Sequence, residues 1–474
     1  MEAQLYYQGA WQPGVHGQRL LVEDPATNAV IGSAVSADLD DLSLVISAAE
    51  EAFPSWSRRP AVDRAHALQA IYQAIMDHHE DLAQLLTQEE GKSLSESRSE
   101  IAYGARFFEF YAGQAMRVYG KTMPAPAASR AIWTTKVPIG ITAIITPWNY
   151  PFAMICRKMA PALAAGCTVI VKPAEQTPLI AAQLFVLLHA LSLPPGVVNL
   201  ITGEPEVIGR ALVQDNRVRK VSFTGSTAVG RQILRNAADN ITSVSLELGG
   251  NAPLIVFDDA DVEDAVTGIM ACKFRNAGQI CVATNRIYVQ RSIVEQLTNR
   301  LVSAVTALRV GNGLEPETQV GPLINQEAVD KVSHHLTDAV QKGATVVVGG
   351  SPRSGAGYFF WPTVVTHVDE TMRLAKEETF GPIAPLLVFD TEDDVFRKAN
   401  DTPYGLSAYV YTRDLGRAMR ASQSLEFGMV GINDPVPSLV EAPIGGWKAS
   451  GLGREGGPEG IEEFLETKYV SMRF

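Results

Sequence analysis

Residues 139–175 read IGITAIITPWNYPFAMICRKMAPALAAGCTVIVKPAE. Within them Ile141 to Ile145 and Thr168 to Val171 are β-branched runs of strand length, and Pro161-Ala162-Leu163-Ala164-Ala165-Gly166 lies between as a crossover helix with a glycine stop. Strand, helix and strand at this spacing make a βαβ unit, whose strands are parallel because the connection crosses the sheet. The texture continues, with Leu179 to Leu191 as a second crossover helix and Val197 to Ile201 and Val218 to Phe223 as further strands. The expected fold class is α/β, with a doubly wound, Rossmann-type sheet that binds a nucleotide at the carboxyl ends of its strands.

Upstream, between about Asp40 and Gly120, apolar residues recur with helical period. Leu68, Ile71 and Ile75 share a face, and Gly91 with Lys92 closes the run as a C-cap would. Downstream, the alternation restarts after Gly249-Gly250 with Pro253 to Phe257, an Asp-rich helix start at Asp258 to Asp264, and α/β units to about Val430, a second domain of the same class. Lys121 to Val137 and Thr467 to Phe474 read instead as extended arms. Two extended edges with no place in either domain are liabilities in a monomer, which predicts strand pairing between subunits.

At 474 residues and 46% hydrophobic, the chain is long enough for two or three cores. A net charge of −12, with both signs scattered, argues against nucleic-acid or anionic-membrane partners. The start Met1-Glu2-Ala3-Gln4 shows no export signal, and no segment reaches the roughly eighteen apolar residues of a membrane helix, so a soluble protein is expected. Cys156, Cys167, Cys272 and Cys281 show no paired spacing and are too few for a disulfide framework, which fits a reducing cytoplasm. The pairs His78-His79 and His334-His335 lack metal-ligand spacing; both are expected on solvated helix faces, and no metal is expected.

Five motifs offer chemistry. Phe223-Thr224-Gly225-Ser226-Thr227 turns from a strand into a helix through glycine, a phosphate-receiving arrangement or, taken alone, a plain N-cap. Lys172-Pro173-Ala174-Glu175 places a cation and a carboxylate where such a sheet meets ribose hydroxyls, though a surface Lys and Glu would look the same. Thr146-Pro147-Trp148-Asn149-Tyr150-Pro151 follows directly on the first strand, so Asn149 stands at the sheet's carboxyl edge with an amide available to an oxyanion. Phe274-Arg275-Asn276-Ala277-Gly278-Gln279-Ile280-Cys281 sets a cysteine behind a loop whose amides can support a thiolate; a lone cysteine among apolar neighbours is more often inert core. Leu246-Glu247-Leu248-Gly249-Gly250 offers a carboxylate in an apolar setting, either a base or a paired glutamate at a domain joint.

In this order and together, TPWNYP, KPAEQTP, FTGST, LELGGNAP, FRNAGQICV, EETFGP at 377–382 and APIGGWKASGLGREGG resemble the NAD(P)-dependent aldehyde dehydrogenase superfamily over nearly the whole chain. The resemblance implies that Cys281 is the nucleophile, Glu247 the general base, Asn149 the oxyanion donor with the Cys281 backbone N–H, and Lys158 part of a proton relay. It places Ile145, Thr146 and Trp148 along the cofactor, Lys172 and Glu175 at the adenosine ribose, Gly225 and Ser226 near the pyrophosphate, and Glu378 and Phe380 at the nicotinamide end. A thiolate would add to the aldehyde, hydride would pass to the nicotinamide, and Glu247 would activate water to hydrolyse the thioester. Glu175 points to NAD over NADP, because a carboxylate repels a 2′-phosphate. The implied architecture is a nucleotide-binding domain (1–119 and 140–248, with 433–456 returning to it), a catalytic domain (249–432) and oligomerisation arms (120–139 and 457–474) of a homodimer or homotetramer.

Within the superfamily, FRNAGQ-x-C, KEETFGP-x-AP and KASGLGREG resemble the succinate-semialdehyde dehydrogenases. That likeness implies that Arg157, Arg275 and Ser438 hold the distal carboxylate of a small anionic aldehyde; the alternative is that each arginine pairs with a protein carboxylate. The expected reaction is NAD-dependent oxidation of succinate semialdehyde, with glutarate semialdehyde or sulfolactaldehyde as alternatives, since a guanidinium clamp does not fix the anion. Ile280, Trp447 and the run Asp434-Pro435-Val436-Pro437 depart from the subfamily pattern and would reshape the pocket. A coenzyme A-acylating enzyme is disfavoured by Glu247, and a non-catalytic relative by the joint presence of Cys281, Glu247 and Asn149.

Overall fold

In the computed structural model, which describes residues 1–474, Ile141–Ile145 lies inside an eight-stranded sheet. Val169–Lys172 and then Val198–Leu200 flank it on one side, Val218–Thr224 and then Ser243–Glu247 on the other, all parallel. Chain order therefore reverses between Ile141–Ile145 and Val218–Thr224, and this switch point opens a crevice at the carboxyl ends of the strands. Every residue of Ile141–Ile145 and Val169–Lys172 is buried, because helices cover both faces, which is why these strands read as continuous rather than alternating apolar runs. Leu5–Tyr7 and Ala10–Gln12 extend one edge, and Gly451–Leu452 pairs with Ser243–Glu247 at the other, bringing the C-terminal segment beside Glu247.

The first crossover helix is longer than expected. It spans Pro151–Ala165, with Pro151 at its first position and left-handed Gly166 (φ 102°) at its end, and Pro161 sits inside it. Proline at the first position leaves no N–H unsatisfied, so the rigid loop Thr146 to Tyr150 feeds straight into the helix. Leu68, Ile71 and Ile75 are buried on Ala61–Asp77, and Gly91 (φ 99°) is the left-handed cap of His79–Glu90.

A second, seven-stranded sheet has the order Thr345–Val348, Thr363–Thr366, Ile383–Phe389, Thr284–Gln290, Ala252–Val256, Ser407–Tyr411, Met429–Ile432, parallel except at its first pair. Asp261 caps the helix Val262–Lys273 that crosses it.

The arms correct the premise of one expectation, that each lacks a partner within the chain. Arg130–Pro138 pairs antiparallel with Leu465–Arg473 of the same chain, from Leu465 opposite Pro138 to Arg473 opposite Arg130, and Lys121–Met123 adds a third strand. The two segments satisfy each other's ladders, so the open edges are only the outer ones of Leu465–Arg473 and Lys121–Met123. A second correction concerns His335. It is buried on Gln326–Gln341, with Nδ1 3.2 Å from Thr379 Oγ1 and Nε2 3.3 Å from Glu377, while His334 is exposed. No helix is long and apolar enough to cross a membrane.

Candidate active site

The switch point opens into a cleft of about 1630 Å³ that reaches the loops of the second sheet. Pockets for one small molecule run to roughly 300–1,000 Å³, so this cleft has room for two reactants. Ile145, Thr146, Trp148, Asn149, Arg157, Lys172, Glu175, Gly225, Ser226, Glu247, Arg275, Cys281, Glu378, Phe380 and Ser438 all line it. Of the residues given a catalytic, cofactor or substrate role from sequence, Lys158 alone does not reach it; of those expected to reshape the pocket, Ile280 and Val436 line it, and Trp447, Asp434, Pro435 and Pro437 do not.

Cys281 follows the turn Arg275–Gly278, in which Asn276 and Ala277 are left-handed (φ 49° and 52°). The buried Gln279 carboxamide secures that turn: it donates to Asn276 O at 3.2 Å and Pro322 O at 3.3 Å and accepts from Ile324 N at 3.0 Å. Cys281 Sγ donates to Glu247 Oε1 at 2.9 Å. Burial pushes the thiol pKa well up, and the Glu247 carboxylate beside it pushes the same way. At rest the sulfur therefore keeps its proton and donates it to Glu247, and no thiolate is present for the loop amides to support.

Glu247 ends the strand Ser243–Glu247, and its Oε2 accepts from Thr224 Oγ1 at 3.1 Å and from the Arg157 guanidinium. Arg157 Nε lies 2.6 Å from Glu455 Oε2, and Lys158 Nζ pairs with the other Glu455 oxygen. A buried row of alternating charge results: Glu247, Arg157, Glu455, Lys158. Burial opposes charge on Glu455, but Lys158 and Arg157 outweigh it and hold its carboxyl below the usual range.

Two sequence expectations change here. Arg157 is engaged by protein carboxylates, as the alternative reading had it, because its place on the first crossover helix faces it toward Glu247 and Glu455. Lys158, one residue on, turns away from the cleft and meets Glu247 only through Glu455 and Arg157. Arg275 differs: its guanidinium is in no ion pair and no hydrogen bond, and burial and the Tyr150 and Tyr409 hydroxyls are its setting. Ser438, also on the cleft wall, has its Oγ 3.9 Å from Met429 Sδ. Glu455 escaped the sequence reading; its signal was a lone carboxylate in the glycine-rich LGREGG.

Asn149 is buried at the carboxyl edge of its sheet. Its Nδ2 donates one proton to Gln279 O at 2.9 Å, leaving the second available.

At the other end of the cleft, Ser226 caps the helix Thr227–Ala237, its Oγ accepting from Val229 N at 3.3 Å, so the N-cap reading holds alongside the phosphate-receiving geometry. A Cβ on Gly225 would run into the Phe223 ring, so glycine is required for the turn to pack against Phe223. Lys172 Nζ donates only to Pro173 O at 3.2 Å and keeps protons for a ligand; burial lowers its pKa, and Glu175 works against that. Pro205, Val207, Val229 and Ile233 form apolar walls that the sequence did not mark, since a platform for a base looks like any packed face. Glu378 Oε1 accepts from Gly250 N at 3.0 Å, and burial raises its pKa to about 7. Phe380 is left-handed (φ 56°) and meets the Trp148 ring edge to face, centroids 5.6 Å apart. A phosphate-receiving turn, spare Lys172 N–H groups, apolar walls and a carboxylate at the far end are the donor set a dinucleotide requires.

The aldehyde dehydrogenase family model matches residues 11–470. The NADP(+) succinate-semialdehyde dehydrogenase GabD of Escherichia coli K12 is 48% identical over 98% of this chain and 96% of its own. The 3-sulfolactaldehyde dehydrogenase of Pseudomonas putida is 47% identical (100% and 97%), and the glutarate-semialdehyde dehydrogenase of Pseudomonas putida KT2440 is 48% identical (98% and 97%). The crystal structure of an E. coli NADP-dependent enzyme superposes with a TM-score of 0.99 at 47% identity, covering 100% of this chain and 98% of that one. The chain belongs to the aldehyde dehydrogenase family and is an oxidoreductase.

Proposed function

We propose that this protein oxidises a small anionic aldehyde, foremost succinate semialdehyde, to the carboxylic acid with NAD. The observation that carries the reading is the unpaired Arg275 guanidinium in the same cleft as the Cys281–Glu247 pair. A partly buried cation without a protein partner is costly unless the site's ligand brings the anion. Ser438 adds a hydroxyl donor on the same wall, while Arg157 serves Glu247. Glutarate semialdehyde and 3-sulfolactaldehyde present an anion to the same group, and relatives bearing those names match this chain as well as the succinate-semialdehyde relative does.

In the mechanism, Glu247 takes the Cys281 proton and the sulfur adds to the aldehyde carbon. The carbonyl oxygen, now negative, accepts from the free Asn149 N–H and the Cys281 backbone N–H. When bound, the nicotinamide supplies the two-electron acceptor for the oxidation that leaves an acyl thioester on Cys281. Glu247 first gives up the thiol's proton to solvent in the cleft; as a carboxylate again it removes a proton from water while the water oxygen attacks the acyl carbon, and the departing sulfur takes a proton to restore the thiol. Lys158 would pass protons outward through Glu455.

Lys172 and Glu175 would hold the adenosine ribose, Gly225 and Ser226 the pyrophosphate, and Glu378 and Phe380 the nicotinamide end, with Ile145, Thr146 and Trp148 along the floor. Glu175 supports NAD, because its carboxylate would face the 2′-phosphate of NADP. We assign the nucleotide domain to 1–119 and 140–248 with 433–456, and the catalytic domain to 249–432, on the strength of their separate sheets. The open edges of the arm sheet, with Tyr469, Met472 and Phe474 exposed beside them, support a homodimer or dimer of dimers. Four unpaired cysteines, one of which must stay reduced to act, support a cytoplasmic setting. Steady-state rates with succinic, glutaric and sulfonated semialdehydes against propanal, each with NAD and NADP, test the proposal. Equal kcat/KM for propanal and the anionic aldehydes would refute the anion site.

A further inference from the structure

Lys92 follows the left-handed Gly91 and is fully buried. Its Nζ donates to Glu100 Oε2 at 2.6 Å and to the backbone oxygen of Asn149 at 2.7 Å, and stands 3.9 Å from the centre of the Tyr150 ring. Glu100 Oε1 accepts from Phe152 N at 3.0 Å and Ala153 N at 3.1 Å, at the start of the helix Pro151–Ala165, whose own N-cap residue supplies no side-chain bond. Asn276, in the nucleophile loop, donates from Nδ2 to the same Asn149 oxygen at 3.0 Å and to Glu90 Oε1 at 2.8 Å. The Asn149 peptide is thus gripped by two donors, one charged, while its side chain is tied to Gln279 O. Burial opposes the ammonium, yet Glu100 and Glu90 outweigh it, so Lys92 stays charged.

We propose that Lys92 is a positioning residue for the oxyanion donor, holding the Asn149 peptide so that its free N–H points where the alkoxide forms; this rests on the role proposed above for Asn149. A buried ammonium carries a desolvation cost that an apolar side chain of similar volume avoids. This one spends its hydrogen bonds on the Asn149 peptide and on the carboxylate that caps the next helix. Preorganised donors are worth most when they need not reorient, and a misplacement of about 1 Å costs on the order of 100-fold in rate.

The test is a double-mutant cycle of Lys92→Met with Asn149→Ala, read as kcat, as nucleotide Kd, and as nitrophenolate release from an aryl ester without dinucleotide, a reaction that passes through the same oxyanion. Lys92→Met/Glu100→Gln removes the ammonium together with the carboxylate it binds directly, so a variant without an unpaired Glu100 is also measured; Glu90, 3.8 Å from Lys92 Nζ, keeps its bonds from Asn276 Nδ2 and Lys92 N. Either change should lower kcat and ester cleavage by roughly 10- to 100-fold while nucleotide Kd moves by less than about twofold. In the Asn149→Ala background the further loss should be under about threefold, because the group being positioned is gone. Equal losses in both backgrounds, or no loss in kcat, would overturn the Lys92 proposal while leaving Asn149 in its role. Undiminished turnover in Asn149→Ala alone would remove the oxyanion reading and the Lys92 proposal with it.

Discussion

Glu247 Oε1 accepts the Cys281 thiol hydrogen bond at 2.9 Å while its Oε2 is held by Arg157 and by Thr224 Oγ1. One oxygen is thereby free to exchange a proton with the sulfur and the other anchors the carboxylate. Burial foremost, and then that same negative charge, keep the resting thiol protonated. Replacing it should separate two properties that usually move together. In Glu247→Gln the pH midpoint of Cys281 alkylation by iodoacetamide should move down, since a like charge has been removed, while turnover falls by about 100-fold or more for want of a base. Cys281→Ala should abolish NADH formation with nucleotide binding intact, checked by absorbance at 340 nm and by titration.

The two arginines should behave differently because their partners differ. Arg275→Leu should raise KM for anionic semialdehydes by about 10-fold or more and leave propanal nearly unchanged, consistent with loss of a charge-assisted contact to the substrate. Arg157→Leu should instead lower kcat for both substrate types alike, since it releases Glu247 and Glu455. A selective loss on anionic substrates in Arg157→Leu would return that residue to the anion site.

Glu175 governs the choice of nucleotide in the proposed scheme. Glu175→Ser should raise kcat/KM with NADP by about 10-fold and lower it with NAD, as a like-charge contact is removed and ribose hydrogen bonds are lost. Initial rates with both nucleotides check this.

Glu378 should give the nucleotide affinity a pH dependence. Burial lifts its pKa to about 7, so it is largely protonated at pH 6 and ionised at pH 8. The ionised form is the stronger acceptor for ribose hydroxyls, so the Kd for NAD should tighten as pH rises through about 7 and lose that dependence in Glu378→Gln. Titration of protein fluorescence from pH 6 to 8.5 measures it.

Much of the fold was legible because its cause is local. β-branched runs buried on both faces, alanine-rich crossovers and glycine caps such as Gly91 and Gly166 are decided by a few neighbouring residues. The helix at Pro151 was partly missed because proline marks a helix start as readily as a loop. His335 was misjudged because burial on Gln326–Gln341 depends on Glu377 and Thr379, distant in sequence. The arms were legible as extended, but not which strand each would meet.

By itself the sequence determined the doubly wound sheet, the order of the nucleotide and nucleophile motifs, and the residue types a thiol-based aldehyde oxidation needs. These follow from short-range patterns and from chemistry that tolerates few substitutes. Only the tertiary structure decided how charges pair across the cleft. Arg157 meets Glu247 and Glu455, Arg275 is left open, and Lys92 reaches the Asn149 peptide. Partnership between buried charges depends on which side chains desolvate together, and that is set by packing between segments up to hundreds of residues apart.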